Sequence, residues 1–218
     1  MKDIPAIKGK FYISRLIEEG EHEHQDFKYA ISDARKIARS ISAFANNDGG
    51  RLLIGVKDNG NIVGIPNEED IYMIQHAAEA FCVPPQEVEM TAYKTEHGKV
   101  VLKASIVKSQ TRPVYVKEEG GKLTAYLRVK DENIAVPPLM IKAWEMQQKD
   151  SGQLFTFSAA EKALLAFLEE NPLSSVEDYI YSAHISTATA ENIVARLLAA
   201  GVIDMVHTPA GFRIKHNS

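Results

Sequence analysis

Few residues in this 218-residue chain have the types and spacing needed for chemistry. Glu21-His22-Glu23-His24 contains metal-ligand residue types, but side chains at alternate positions of a strand or a helix end rarely converge on a metal without further ligands from elsewhere. A solvated polar turn is therefore the favoured interpretation of this run. Cys82 is the only cysteine, which excludes an internal disulfide and a cysteine-based zinc site. It follows apolar residues of a predicted helix, so we expect it to pack in the core.

Two common catalytic motifs are absent from the sequence. No G-x-x-x-x-G-K-[ST] loop is present, which excludes a P-loop nucleotidase. No G-x-S-x-G elbow is present either, which argues against an α/β-hydrolase. The N-terminus lacks the apolar run of a signal peptide, and no stretch approaches the ~20 apolar residues that span a bilayer. We therefore expect a cytoplasmic protein that does not enter membranes.

The charge balance limits how the chain could bind a polyanion. It carries 25 basic and 29 acidic residues, a net charge of −4. Residues 151–218 contain four Lys or Arg against seven Asp or Glu, so neither half has a basic surplus. Strong non-specific nucleic-acid binders usually have such a surplus. Any nucleic-acid site must therefore be a local basic patch, with modest binding or binding by a dimer.

The pattern of the first 150 residues predicts an α+β fold, a mixed sheet with packed helices. Residues 33–46 form an amphipathic helix that Asn47-Asp48-Gly49-Gly50 ends. Leu52–Val56 is continuously apolar, as expected of a strand buried on both faces. Asp58-Asn59-Gly60 is a tight-turn signal. Further strands are predicted near residues 88–95, 100–108 and 125–130, and a helix follows Pro137-Pro138.

A polar segment, residues 147–154, predicts a boundary between domains 1–150 and 151–218. After it, a capping box (Ser158 and Glu161) opens a helix, two shorter helices follow, and a hairpin ends the chain. This order predicts a small winged helix-turn-helix domain. If its third helix enters a major groove, the candidate nucleic-acid contacts are Thr187, Thr189, Asn192 and Arg196. The alternative is a winged helix used for dimerisation or protein contacts.

Residues 40–65, SISAFANNDGGRLLIGVKDNGNIVGI, carry a family resemblance. With Gly20-Glu21, Asp26-Phe27-Lys28, Pro113-Val114-Tyr115 and Ala125–Val129 in the same order, they resemble the Schlafen-type AlbA-like domain. The resemblance implies a nucleic-acid-associated domain, often joined in bacteria to a helix-turn-helix. Candidate phosphate contacts lie in or beside these motifs: Lys28, Lys108, Arg112, Lys117 and Arg128. The alternative for these residues is sheet-edge and solvated basic side chains.

The resemblance also implies a possible active site. In animal Schlafens two such lobes form a metal-dependent endoribonuclease with three carboxylates, which fall here on Glu21, Asp26 and Asp58. These would be both the catalytic residues and the ligands of Mg²⁺ or Mn²⁺, which neutralises phosphate and activates water. Asp26 replaces a family Glu and is one methylene shorter, and Lys57 replaces an acid. The sequence favours the alternative that Asp58 is a turn residue in Asp-Asn-Gly.

Three functions remain open on sequence alone. The favoured one is a DNA-binding transcriptional regulator, with DNA preferred over RNA as partner. The alternatives are a metal-dependent ribonuclease and a protein-partner-binding module. We also expect a homodimer, because the Schlafen nuclease needs two lobes and helix-turn-helix proteins commonly read two half-sites by two-fold symmetry.

Overall fold

The computed structural model describes four stretches of the chain: residues 4–65, 69–95, 97–149 and 156–217. The chain forms two compact units that divide between Val136 and Pro137. The boundary predicted at residues 150/151 lies outside the described residues and stays a prediction. Within the described stretches, no helix has the length and apolar character needed to cross a bilayer.

The first unit contains two sheets. Its strands are β1 (Ile7–Lys8), β2 (Gln25–Lys28), β3 (Gly50–Ile54), β4 (Cys82–Val83), β5 (Val88–Lys94), β6 (Val100–Ile106), β7 (Tyr115–Lys117), β8 (Leu123–Val129) and β9 (Glu132–Ala135). The larger sheet has the order β1-β5-β6-β3-β2, in which β2 is parallel to β3 and β1 to β5 while the other pairs are antiparallel. The smaller sheet is antiparallel with the order β4-β7-β8-β9. The predicted α+β class with a mixed sheet is confirmed.

The helices of the first unit are α1 (Lys10–Glu18), α2 (Ala34–Asn46) and α3 (Glu69–His76), which continues as a π-helical turn, Ala77–Phe81. The Asp33 side chain caps α2 by accepting from the backbone N–H groups of Arg35 and Lys36. After α2 the chain turns at Gly49 with φ +80°, and a Cβ there would lie 2.8 Å from the Ile106 oxygen. Only glycine fits this turn without strain.

Strand β3 divides the core of the first unit because both of its faces are covered. Leu52 and Ile54 join the α2 side of the core, while Leu53 and Val56 join the α1 side. The residues from Leu52 to Ile54, together with Val56, are all fully buried. The strand buried on both faces that this apolar run predicted is therefore present, and its burial fixes the position of the turn that follows.

The second unit consists of helices and a hairpin: α4 (Pro138–Lys149), α5 (Ala159–Glu170), α6 (Val176–Ala183), α7 (Thr187–Ala199), β10 (Ile203–Thr208) and β11 (Gly211–His216). Ser158 and Glu161 form the predicted capping box at α5. His184, in the left-handed conformation, ends α6, and Ser186 caps α7 two residues later. Strands β10 and β11 pair antiparallel. The core contains Leu164, Leu168, Tyr179, Val194, Leu197, Ile203 and Ile214.

Candidate functional site

Asp26, on the edge strand β2, is a buried carboxylate held by two cations. It is 3% exposed. Lys28 Nζ lies 2.7 Å from Oδ2, and Arg128 Nη2 lies 3.2 Å from Oδ1. Ser40 of α2 donates to Oδ2 at 3.3 Å. A buried carboxylate is tolerated only when it is paired and hydrogen-bonded, and these contacts occupy both oxygens.

Arg128 of β8 lies inside the first unit, with its side chain 2% exposed. Its guanidinium donates to Asn133 Oδ1 at 3.2 Å and to the Gln25 carbonyl at 3.5 Å. The group also covers the Phe44 ring at 5.5 Å from the centroid. A phosphate could reach this position only by displacing Asp26. The geometry therefore gives this candidate phosphate contact a role in joining β8 to β2.

Glu21 shares a hydrogen bond with the Asp26 carboxylate, and its own Oε1 accepts from the Phe27 N–H at 2.8 Å. Burial, with the Asp26 contact in addition, raises the pKa of Glu21 to about 7. Burial alone would raise the pKa of Asp26 as well. The Glu21 hydrogen bond and the charge of Lys28 outweigh that effect and hold the pKa below its ordinary value. The pair therefore carries one proton near neutral pH, and that proton resides on Glu21.

Because the folded pKa of Glu21 is raised, protonation of this residue stabilises the fold below pH 4.5, and that contribution is lost as pH rises through about 7. Glu21→Gln keeps an acceptor for Phe27 and a donor for Asp26 without titrating. We expect its Tm to lie above the parent's at pH 8 and the difference to close toward pH 5. Glu21 is only partly buried, so solvent screening limits the difference to about 2 °C.

The exposed variant Glu23→Gln is the control for the loss of one charge in the same loop. Thermal unfolding followed by circular dichroism in matched buffers measures both variants. Parallel curves for the parent and Glu21→Gln between pH 5 and pH 8 would contradict the shared-proton assignment.

Among the described residues, Asp58 does not form a metal-binding group with Glu21 and Asp26. It lines a shallow concavity of about 580 Å³ with Tyr29, Lys57 and Asn59. No group of three or more His, Cys, Asp or Glu side chains could hold a metal ion in the part of the chain that the structure describes. Since Lys28 and Arg128 already occupy the Asp26 oxygens, the residues present do not fit a divalent cation.

Asn46, the last residue of α2, binds two segments of the smaller sheet, a role that its position in the A-F-A-N motif did not reveal. It is 1% exposed. Its Oδ1 accepts from the Val114 N–H at 2.8 Å, and its Nδ2 donates to the Val114 and Tyr126 carbonyls at 3.0 and 2.9 Å. Ser42 adds a bond to the Val114 carbonyl at 2.7 Å. The available sequence signal was that Ser42 and Asn46 lie on one face of the helix, since polar groups on a buried face need hydrogen-bond partners.

The remaining basic candidates of the first unit are nearer the surface. Lys108 and Asp48 form an exposed ion pair at 2.7 Å. Arg112 donates to the Asn46 carbonyl at 3.3 Å, and burial lowers its pKa. Lys117 is exposed on β7, and the Lys28 side chain is 33% exposed. Lys108 and Lys117 are thus open to solvent, while Lys28 and Arg112 are engaged within the fold.

In the second unit, all four candidates on α7 are exposed: Thr187, Thr189, Asn192 and Arg196. Arg196 also has a structural contact, because its Nε lies 2.8 Å from Oε1 of Glu161, which is 1% exposed. The other Glu161 oxygen accepts from the Ser158 N–H within the capping box. Arg196 therefore links α7 to the start of α5. The three other candidates are exposed, but the Asn192 Oδ1 accepts from Lys142 Nζ of α4 and the Thr189 hydroxyl shares a hydrogen bond with the Ser186 hydroxyl at 2.8 Å.

Comparisons with known proteins give a family match and several structural neighbours, two of which follow. A family model described as Schlafen, AlbA_2 matches residues 21–137. No curated protein matches the chain. The DIP2311 protein from Corynebacterium diphtheriae is 22% identical with a TM-score of 0.45, over 88% of this chain and 34% of that one. The N-terminal domain of a RecG-related protein from Nitrosomonas europaea is 22% identical with a TM-score of 0.42, over 61% of this chain and 96% of that one. This chain thus spans about a third of the Corynebacterium protein's length.

Proposed function

The chain belongs to the Schlafen AlbA_2 family, and from that premise we propose that it binds nucleic acid and regulates transcription by binding duplex DNA. In this proposal the second unit is a winged helix-turn-helix whose α7 enters the major groove. The first unit contributes contacts to the phosphate backbone. The metal-dependent ribonuclease is not favoured, because cations already hold the Asp26 carboxylate and, among the described residues, Asp58 forms no metal-binding group with Glu21 and Asp26.

The observation that carries this proposal is the exposed polar face of α7 behind a capped turn. His184 ends α6, Ser186 accepts from the Thr189 N–H at 3.2 Å, and α7 starts at Thr187. Thr187 and Asn192 are exposed on this helix. Hydroxyl and amide groups there hydrogen-bond base edges and phosphates in helix-turn-helix complexes. The hairpin β10–β11 follows, where a wing would lie.

The unfavourable charge of the chain limits the electrostatic share of binding. Exposed Lys108 and Lys117 supply few cations, and the net charge is −4. We expect a shallow plot of log affinity against log salt concentration, equivalent to roughly 2–4 phosphate contacts per protomer. In the predicted homodimer the number of phosphate contacts per complex would double. The homodimer stays a prediction.

A charge placed at the first residue of α7 tests the proposal. Thr187→Glu puts a carboxylate at a helix N-terminus, where it favours the helix but repels phosphate. Ala159→Glu makes the same change at the first residue of α5, which also follows a serine cap. We expect Thr187→Glu to weaken duplex binding about tenfold at low salt and Ala159→Glu to leave it unchanged. Fluorescence anisotropy across a salt series measures both.

Arg196→Ala is a less selective test, because it also removes the partner of buried Glu161. Equal affinity of Thr187→Glu and Ala159→Glu for duplex DNA at every salt concentration would rule out α7 as the reader. A parent protein that binds no nucleic acid would favour the protein-partner alternative.

A further inference from the structure

The concavity formed by Tyr29, Lys57, Asp58 and Asn59, here called the Tyr29 pocket, lies at the end of the edge strand β2, whose last residue, Lys28, precedes Tyr29. All four lining residues are exposed, and 59% of the Tyr29 side chain is open to solvent. An aromatic ring, an ammonium, a carboxylate and an amide thus face one space. None of the contacts that stabilise the core of the first unit requires this combination.

Backbone hydrogen bonds fix the walls of the Tyr29 pocket. The Lys28 carbonyl, next to Tyr29, accepts from the N–H groups of Gly55 and Val56 at 2.8 and 3.3 Å. Gly55 has φ +91°, and a Cβ there would lie 2.7 Å from the Gly64 carbonyl carbon, so the chain can make this approach only with glycine. These bonds hold the turn that carries Asp58 at a fixed position beside the aromatic ring.

The turn itself is closed by its own hydrogen bonds. The Lys57 N–H donates to the Asn61 carbonyl at 3.0 Å, and the Gly60 N–H donates to the Lys57 carbonyl at 2.8 Å. Asn59 Oδ1 accepts from the Asn61 N–H at 3.1 Å. The side chains of the pocket therefore project from a preorganised backbone, which reduces the entropy lost when a ligand binds.

The residue types match the parts of a nucleotide. An exposed aromatic ring stacks against a nucleobase, and a nearby cation contacts the phosphate. Lys57 Nζ lies 5.6 Å from the Tyr29 ring centroid, within cation–π distance. The ring keeps most of its surface open, which leaves room for a second planar group. The flexible stem of Lys57 lets its ammonium follow the phosphate of a base stacked there.

Asp58 adds base selectivity. An ionised carboxylate only accepts hydrogen bonds and has two oxygens in a plane. Among the four DNA bases, guanine presents two adjacent N–H donors on its Watson–Crick edge, at N1 and N2, which match such a carboxylate. These donors are free only in an unpaired base. We infer that the Tyr29 pocket binds an unpaired guanine nucleotide of a single strand, with the base on Tyr29, its edge on Asp58 and its phosphate at Lys57.

This inference rests on the proposed nucleic-acid role but uses a different unit from α7, so the two can fail separately. The probes are thymidine strands with one central guanine or none, measured by fluorescence anisotropy with the full chain, and free GMP, measured by saturation-transfer NMR. Tyr29→Leu removes the aromatic face and Tyr29→Phe retains it. Tyr72→Leu, at a tyrosine 63% exposed on α3, is the matched control.

We expect Tyr29→Leu to weaken binding of the guanine strand by roughly 5- to 100-fold, and Tyr29→Phe and Tyr72→Leu to bind like the parent. Asp58→Asn should remove the preference for guanine without weakening the all-thymidine strand, because it removes a charge that repels phosphate. If Asp58 acted only through its charge, Asp58→Asn would strengthen binding of both strands equally. That result would overturn the guanine assignment.

The remaining outcomes separate the two proposals. Guanine-strand binding that is the same in the parent and Tyr29→Leu overturns the pocket and leaves the nucleic-acid role. A GMP signal that disappears in Tyr29→Leu, in a protein that binds no strand or duplex, supports guanine binding by the pocket but overturns both its assignment to a single strand and the nucleic-acid role. Absence of both GMP and strand binding overturns both.

Discussion

Asn46→Ala is expected to lower the free energy of unfolding by about 3 kcal/mol, because it leaves buried backbone groups without partners. Val114 loses the acceptor of its N–H, and the Tyr126 carbonyl loses a donor. Each unsatisfied buried group costs about 1–3 kcal/mol, and the Ser42 bond to the Val114 carbonyl compensates only one of the losses. Such a loss is a large part of the ~5–15 kcal/mol that stabilises a typical domain.

Urea denaturation followed by circular dichroism measures this loss, and hydrogen exchange identifies its origin. The Val114 amide should exchange faster in Asn46→Ala by a larger factor than amides of the second unit. Asn61→Ala, the same substitution at an exposed position, should change stability by less than about 0.5 kcal/mol. A stable Asn46→Ala protein with a protected Val114 amide would show that the network does not hold the smaller sheet to α2.

Arg128→Leu is the second substitution with a large expected effect, a loss of about 3 kcal/mol at neutral pH. It leaves the Asp26 carboxylate buried with Lys28 as its remaining cation, and breaking a buried ion pair costs about 3–5 kcal/mol. Asp26 in the parent has a lowered pKa, so its charged form stabilises the fold above the ordinary value of 3.8. That contribution is lost as pH falls through the folded pKa. The deficit of Arg128→Leu should therefore be full at neutral pH and disappear only as the pH falls below 3.8.

A double-mutant cycle with Asp26→Asn isolates the pair. The double variant should be less destabilised than the sum of the two single variants, by about 1–3 kcal/mol. Since the Arg128 side chain is 2% exposed, folded Arg128→Leu should bind DNA like the parent. Additive effects on stability, or a loss of DNA affinity without a loss of stability, would contradict the ion-pair role. Either result would favour the sequence-based prediction that Arg128 contacts phosphate.

Local signals in the sequence predicted most of the elements that position the candidate site. The apolar period and the Asn47-Asp48-Gly49-Gly50 stop predicted α2, and the continuous apolar run predicted a strand buried on both faces. The capping box of Ser158 and Glu161 predicted the start of α5. These signals succeed because periodicity, caps and glycine turns act through neighbours within a few residues.

The sequence by itself thus determined the α+β class, most helices and the longer strands but not the short strands β1, β4 and β9, and the exposure of Thr187 and Asn192 on α7. The tertiary structure alone decided which side chains meet: Arg128 with Asp26, Arg196 with Glu161, and Asp58 with Tyr29. The local sequence pattern around an arginine or aspartate is the same whether its side chain faces solvent or a buried partner. Its environment depends on contacts between residues far apart in sequence, which residue type and spacing do not encode.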